Sequence, residues 1–184
     1  MRTGGSSAKG ASFERSVAGK LSLWLTAGKD RDALSRNTSS GGRFTSTERG
    51  IPGDIMAVHP AAFEFCSKVT IECKHYKDIN LDRFITHGER SFLGRVFNKT
   101  KAQCNKHGYI PAIIAKSNNS PTFFICEAEL GNTIIRARSS SRQFNYHWLH
   151  MSKYFMCELD DLLAWIDPRI FLADLRKNEI KSVQ

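Results

Sequence analysis

The chain is 184 residues long, 41% hydrophobic and 24% charged, with a formal net charge of +9. That size and mix suit one soluble domain with a sizeable core. No apolar run approaches membrane-spanning length, and Met1–Gly10 lacks the apolar centre of a signal peptide, so neither membrane contact nor secretion is expected. The five cysteines are odd in number and widely spaced, which reads as reduced thiols in a cytoplasmic protein. No Cys-x-x-Cys or His-Glu-x-x-His pattern marks a zinc site; His147 and His150 have ligand-like spacing but no partner pair, and read as structural or surface residues. The basic excess is uneven. Residues 1–50 hold nine Lys or Arg against four Asp or Glu, and residues 101–150 hold six against two. Such an excess points to a polyanionic partner, nucleic acid first, against the plainer reading of a well-solvated basic surface.

Met1–Gly10 is rich in Gly and Ser and reads as a mobile basic arm, with residues 11–184 as one domain, its core at about 11–128 and an extension at 129–184. From Ala11 to Ala27, Phe13, Val17, Leu21, Trp24 and Leu25 recur at helical spacing, with Ser12 as candidate cap and Gly28 as stop. Glu14 in the first turn is either an anion favoured at a helix N-terminus or an extra carboxylate aimed at a site elsewhere. Ala33–Arg36 can form a short strand. The polar stretch Asn37–Arg43, with Ser39, Ser40, Arg36 and Arg43, is either a flexible linker or a loop whose hydroxyls, N–H groups and arginines hold a phosphodiester backbone.

Asp54–Val58 and Val69–Tyr76 read as strands. If they form a hairpin centred near Phe63, Asp54 lies opposite Glu72. Alternation along the second strand puts Glu72 and Lys74 on one face and Cys73 on the other. Two carboxylates and an ammonium then converge, which suits metal-assisted phosphodiester hydrolysis with Mg²⁺, or Mn²⁺ in its place. Taken alone, the pattern reads first as a turn aspartate and a surface ion pair, and only then as a catalytic site. Leu81–Thr86 and Ser91–His107 have helical character, and on the second Lys99 and Gln103 lie one turn apart, either solvated or facing the site or DNA. Tyr109–Lys116 and Thr122–Ala128 read as core strands, Thr133–Ala137 as a further strand, Arg138–Arg142 as a basic loop, and Lys153–Leu159 as a last strand. Helices follow at Asp160–Ile166 and about Ile170–Ile180.

Lys9-Gly10-Ala11-Ser12-Phe13-Glu14-Arg15, Arg36 followed by Ser39-Ser40-Gly41, Gly53-Asp54-Ile55 and Ile71-Glu72-Cys73-Lys74 occur in an order that resembles the PD-(D/E)xK nuclease superfamily. Within it the likeness is to archaeal-type Holliday junction resolvases and their phage relatives, over about Lys9 to Lys116. The resemblance implies an α/β, restriction-endonuclease-like αβββαβ core: a central mixed sheet flanked by helices, with C-terminal strand and helix additions. It implies a Mg²⁺-dependent endonuclease acting on branched or duplex DNA as a homodimer, without an organic cofactor. Asp54 and Glu72 would bind the metal, Glu14 would complete the site and Lys74 would position the attacking water. Arg15, Arg36 and Ser39 or Ser40 would contact the phosphate. The segment between Tyr76 and Ser91 is longer than a minimal resolvase needs. A restriction-type, flap or nicking endonuclease of the same fold, and a non-catalytic DNA-binding protein, are the rival expectations.

Overall fold

A computed structural model of the chain describes residues 5–38, 52–139 and 144–182. Helix α1 (Gly5–Leu25) leads to the short strands β1 (Leu34–Arg36) and β2 (Ile55–Ala57), which pair antiparallel as a two-stranded ribbon. Helix α2 (Pro60–Cys66) precedes β3 (Val69–Tyr76). Then come α3 (Leu81–His87), a 3₁₀ turn at Gly88–Arg90, α4 (Phe92–Asn105), β4 (Ile110–Ser117), β5 (Thr122–Glu127) and α5 (Ala128–Arg136). Strands β6 (Tyr146–Leu149) and β7 (Tyr154–Glu158) and helices α6 (Leu159–Trp165) and α7 (Pro168–Ser182) complete the order.

The main sheet runs β3-β4-β5-β7-β6, with β3 and β4 parallel and the other neighbours antiparallel. Alternation along these strands builds two cores, one on each face. Ile71 and Cys73 of β3, Ala112 and Ile114 of β4 and Phe124 of β5 pack under α1, α2, α5, α6 and α7. Ile113 and Ala115 of β4, Ile125 of β5 and Met156 of β7 pack under α3 and α4. This is the mixed sheet flanked by helices of a restriction-endonuclease-like fold. Strand β3 lies at the sheet's edge, with β4 as its one neighbour in the sheet.

The structure departs from the sequence reading in five places. Helix α1 starts at Gly5, so residues 5–10, read as arm, are helical, and Ser12 lies inside the helix rather than at its cap. Strands β2 and β3 do not form a hairpin: α2 stands between them, opened by His59, whose Nδ1 accepts the Ala61 N–H, and by Pro60 at its first turn. Residues Thr133–Ala137 are mostly helix, not strand. Leu130, Gly131 and Ile134 form one buried stripe at helical spacing, and that packing overrides the β-branched run Thr133-Ile134-Ile135. Strand β6 was not foreseen; it covers the outer edge of β7, and His150 beyond it hydrogen-bonds the Phe84 carbonyl through Nε2 (2.6 Å). Helix α7 begins at Pro168, two residues early, where proline suits a helix start. Ser39, Ser40 and Arg43 lie outside the described residues, as does most of the predicted basic loop.

Gly131 supplies a test of the helical assignment. A Cβ there would sit 2.5 Å from Cβ and 2.7 Å from Cγ of Phe155. Gly131→Ala gains about 1 kcal/mol of helix propensity but must push into β7, at a cost of about 1–3 kcal/mol. We expect net destabilisation in urea unfolding; a stabilised variant would contradict the packing of α5 on β7.

Candidate active site

The site is built on the outer edge of β3. Gly53 has φ +93°, and a Cβ there would lie 2.7 Å from Thr70 Cγ2 and 2.8 Å from the Ile71 carbonyl oxygen. Only glycine lets the Pro52-Gly53-Asp54 turn press this closely on the strand. Asp54 is thereby fixed twice. Its N–H donates to the Ile71 carbonyl (2.8 Å), and its Oδ2 accepts the Cys73 N–H (2.8 Å). Buried Asn37, just past β1, clamps the same turn from behind: its N–H donates to the Asp54 carbonyl (2.8 Å) and its Nδ2 to the Gly53 carbonyl (3.0 Å). Asp54 thus straddles the position of Glu72, the register expected from the sequence, although the connection is a helix rather than a tight loop.

Glu72, Lys74 and Tyr76 share one face of β3 by alternation, the face toward α4. The Lys74 ammonium donates to Glu72 Oε1 and to the Cys73 carbonyl (3.2 Å), and lies 3.8 Å from Asp54 Oδ2. It sits among three oxygens: two from carboxylates and one from the backbone. Burial alone would pull its pKa down, but Glu72 and Asp54 outweigh that and hold the lysine protonated. The Glu72 carboxyl is held above the ordinary value first by burial and next by the Asp54 charge, against the opposing pull of Lys74 and, from α4, Lys99. Cys73 points to the other face, where burial and the nearby charges of Asp54, Glu14 and Glu72 push its thiol well up, leaving it an inert packing group.

The remaining candidates are placed less centrally. Glu14, on α1, is ion-paired with Arg36 of β1, and its charge reaches the Cys73 side of the strand. Arg15 is exposed on α1, and Gln103 is exposed on α4, one turn beyond Lys99. Two participants were not singled out from the sequence: Asn37, read only as part of a polar loop, and the Cys73 carbonyl, which no side-chain pattern signals.

Among the described residues, no group of three or more His, Cys, Asp or Glu side chains is placed to hold a metal ion. The available donors are the Asp54 and Glu72 carboxylates and the Cys73 carbonyl. They form a hard, all-oxygen set, already gathered around a cation in the form of the Lys74 ammonium. That chemistry fits a divalent ion of the Mg²⁺ class, which retains several waters and needs few protein ligands. It does not suit zinc.

A family model, described as phage putative PDDEXK endonuclease, matches residues 5–172. The chain belongs to this family. The match runs from α1 into α7, and DNA is the substrate the family implies. Neither a curated protein nor a solved structure matches the chain. No helix among the described residues is long and apolar enough to cross a membrane.

Two outcomes follow for this phage-type nuclease. Gly53→Ala must move the turn off β3, at a cost of about 2–4 kcal/mol in folding free energy, combining strain at positive φ with overlap at Ile71. Urea unfolding measures it, and a loss under about 0.5 kcal/mol, the scale of an ordinary surface substitution, would argue against this packing. Glu72 has a folded pKa raised above its unfolded value, so its contribution to stability is fully present below about pH 4.5 and is lost as pH rises through the raised value. Glu72→Gln should therefore match wild type in acid and melt no lower, or higher, at neutral pH. Melting curves from pH 4 to 8 check the sign; a variant that loses stability only at neutral pH would reverse it.

Proposed function

We propose that the chain is a divalent-metal-dependent endodeoxyribonuclease that acts on branched DNA, four-way junctions above all, with Asp54, Glu72 and Lys74 at its reacting centre. The observation that supports this most is the meeting of Asp54, Glu72, the Cys73 carbonyl and Lys74 at the outer edge of β3. The order of motifs from Lys9 to Lys74 supports the junction-resolving subtype.

Electrostatics argues for the metal. Two carboxylates and one ammonium leave the centre one charge negative, so a phosphodiester approaching it would be repelled. Asp54, Glu72 and the Cys73 carbonyl would hold Mg²⁺ (or Mn²⁺), which when bound lowers the pKa of a coordinated water and neutralises charge at the phosphate. Lys74 remains charged and pairs with the nucleophile or a non-bridging phosphate oxygen. Asn37 and the β3 backbone hold Asp54 in place before substrate arrives, so little reorganisation is left for the reaction itself. Glu14 completes the acidic side and orients Arg36, which with Arg15, Lys99 and Gln103 meets the DNA backbone; the resemblance assigns the same task to Ser39 or Ser40, and the composition of the polar loop assigns it to Arg43. Cutting two strands symmetrically calls for a two-fold homodimer.

The decisive assay uses labelled four-way junction and matched linear duplex, with and without Mg²⁺. Wild type should give paired symmetric nicks in the junction only. Asp54→Asn and Glu72→Gln should lose about 10³-fold or more in rate while still binding DNA. Equal cutting of duplex or flaps would keep the site and replace the substrate. Normal turnover by either variant would remove Asp54 and Glu72 from the chemistry.

A further inference from the structure

Beyond Lys74 the strand leads directly into a second feature. Tyr76, two residues on and on the same face, is 45% exposed and meets Phe92, the first residue of α4 and 39% exposed, in an edge-to-face pair with ring centroids 5.1 Å apart. Two residues along a strand span about 7 Å, roughly two steps of a nucleic-acid strand at 3.4 Å each. Two large rings standing in water beside a buried charge cluster are not explained by packing, because the core on this face is closed by Phe84, Leu93 and Phe97 instead.

Phe92 also forms one wall of an open cleft of about 320 Å³ between α3 and α4, whose cationic lining is Arg83, Arg90 and Arg95. All three arginines are exposed and, among the described residues, none is paired with a carboxylate; Arg95 Nη1 donates to the Arg90 carbonyl (2.9 Å). The carboxylate in the cleft, Asp78, accepts the Asn80 N–H (2.7 Å). The cleft is firmly mounted. The Ile79 N–H donates to Ser117 Oγ (2.9 Å) and the Asn118 N–H to the Lys77 carbonyl (3.3 Å), tying the start of the inserted segment to the end of β4. Phe84 is fully buried beneath it.

We propose that Tyr76, Phe92 and the Arg83–Arg90–Arg95 cleft form a subsite for unpaired nucleotides next to the scissile phosphate, the rings stacking bases and the arginines holding the following phosphates. The chemistry favours single-stranded over duplex DNA: paired bases hide their faces, whereas any unpaired base can stack on an aromatic ring, with arginines tracking its backbone. The subsite rests on the nuclease reading above and deepens it. It selects branch points, where bases unstack, by their exposed faces rather than by sequence.

The test measures binding in EDTA, so that no strand is cut, using a duplex and the same duplex with an unpaired loop carrying 2-aminopurine. Wild type should bind the looped DNA more tightly and quench its fluorescence by stacking. Tyr76→Ala and Phe92→Ala should each lose roughly 5- to 100-fold in affinity for the loop, with the quench, and leave duplex binding unchanged. Tyr76→Phe keeps the ring and should keep both. Arg83→Ala and Arg90→Ala, at exposed unpaired positions, should each lower the slope of log affinity against log salt by about 0.7. Unchanged affinity and quench in the ring variants would overturn the subsite, even if Mg²⁺-dependent cleavage stands. A quench that vanishes with Tyr76→Ala would uphold it, even if no DNA is ever cut.

Discussion

Asp54 is held to strand β3 by its main chain and its side chain at once, and the rest of the site follows from that double bond. The N–H to Ile71 and the carboxylate to the Cys73 N–H bracket Glu72, so the spacing between the two acids is set by backbone hydrogen bonds rather than by side-chain rotamers. Asn37 transmits the constraint to β1, and α1 packs on β1 and β3 in turn. The ribbon of β1 and β2 thus closes an edge that would otherwise offer unpaired backbone groups, and delivers a carboxylate while doing so.

Strand β3 carries two opposed duties in alternate residues. Val69, Ile71 and Cys73 sink into the α1 core, while Glu72, Lys74 and Tyr76 stay half-buried or exposed toward α4. Such a strand cannot slip by one residue without burying three polar groups and exposing three apolar ones, so its register is strongly specified. Its cost appears at Glu72, where burial and the Asp54 charge oppose ionisation. The protein keeps a charge arrangement that folding alone would disfavour, as sites built for chemistry commonly do.

Period-two alternation was what made the centre legible. Val69–Tyr76 has the predicted bounds, and the pairing of Asp54 with the Glu72 position followed from simple counting, because α2 replaces the imagined loop without changing the register. The connection itself was missed, since Pro60–Cys66 is too short for helical periodicity to stand out against strand-like neighbours. Thr133-Ile134-Ile135 misled in the opposite direction: local β preference pointed one way, and the fit of Gly131 against Phe155 decided the other. Asn37 was illegible for a different reason. Its role lies in two carbonyls that approach it only once the Gly53 turn is folded against β3, and no spacing within the chain records that.

The position of Lys74 has a consequence for order of events at the site. Its ammonium donates to Glu72 and the Cys73 carbonyl and leans toward Asp54, so in this arrangement it is turned to the protein's own oxygens. Withdrawing it without replacement would leave the half-buried Glu72 carboxylate without its ion pair and beside the Asp54 charge. On the proposed mechanism, Lys74 would turn toward DNA once other positive charge takes its place. A cation held by Asp54, Glu72 and the Cys73 carbonyl would compete with the lysine for the same oxygens, and a phosphate would give the displaced ammonium a new partner. On the proposed mechanism, occupation of the oxygens and binding of the DNA would be coupled through one side chain.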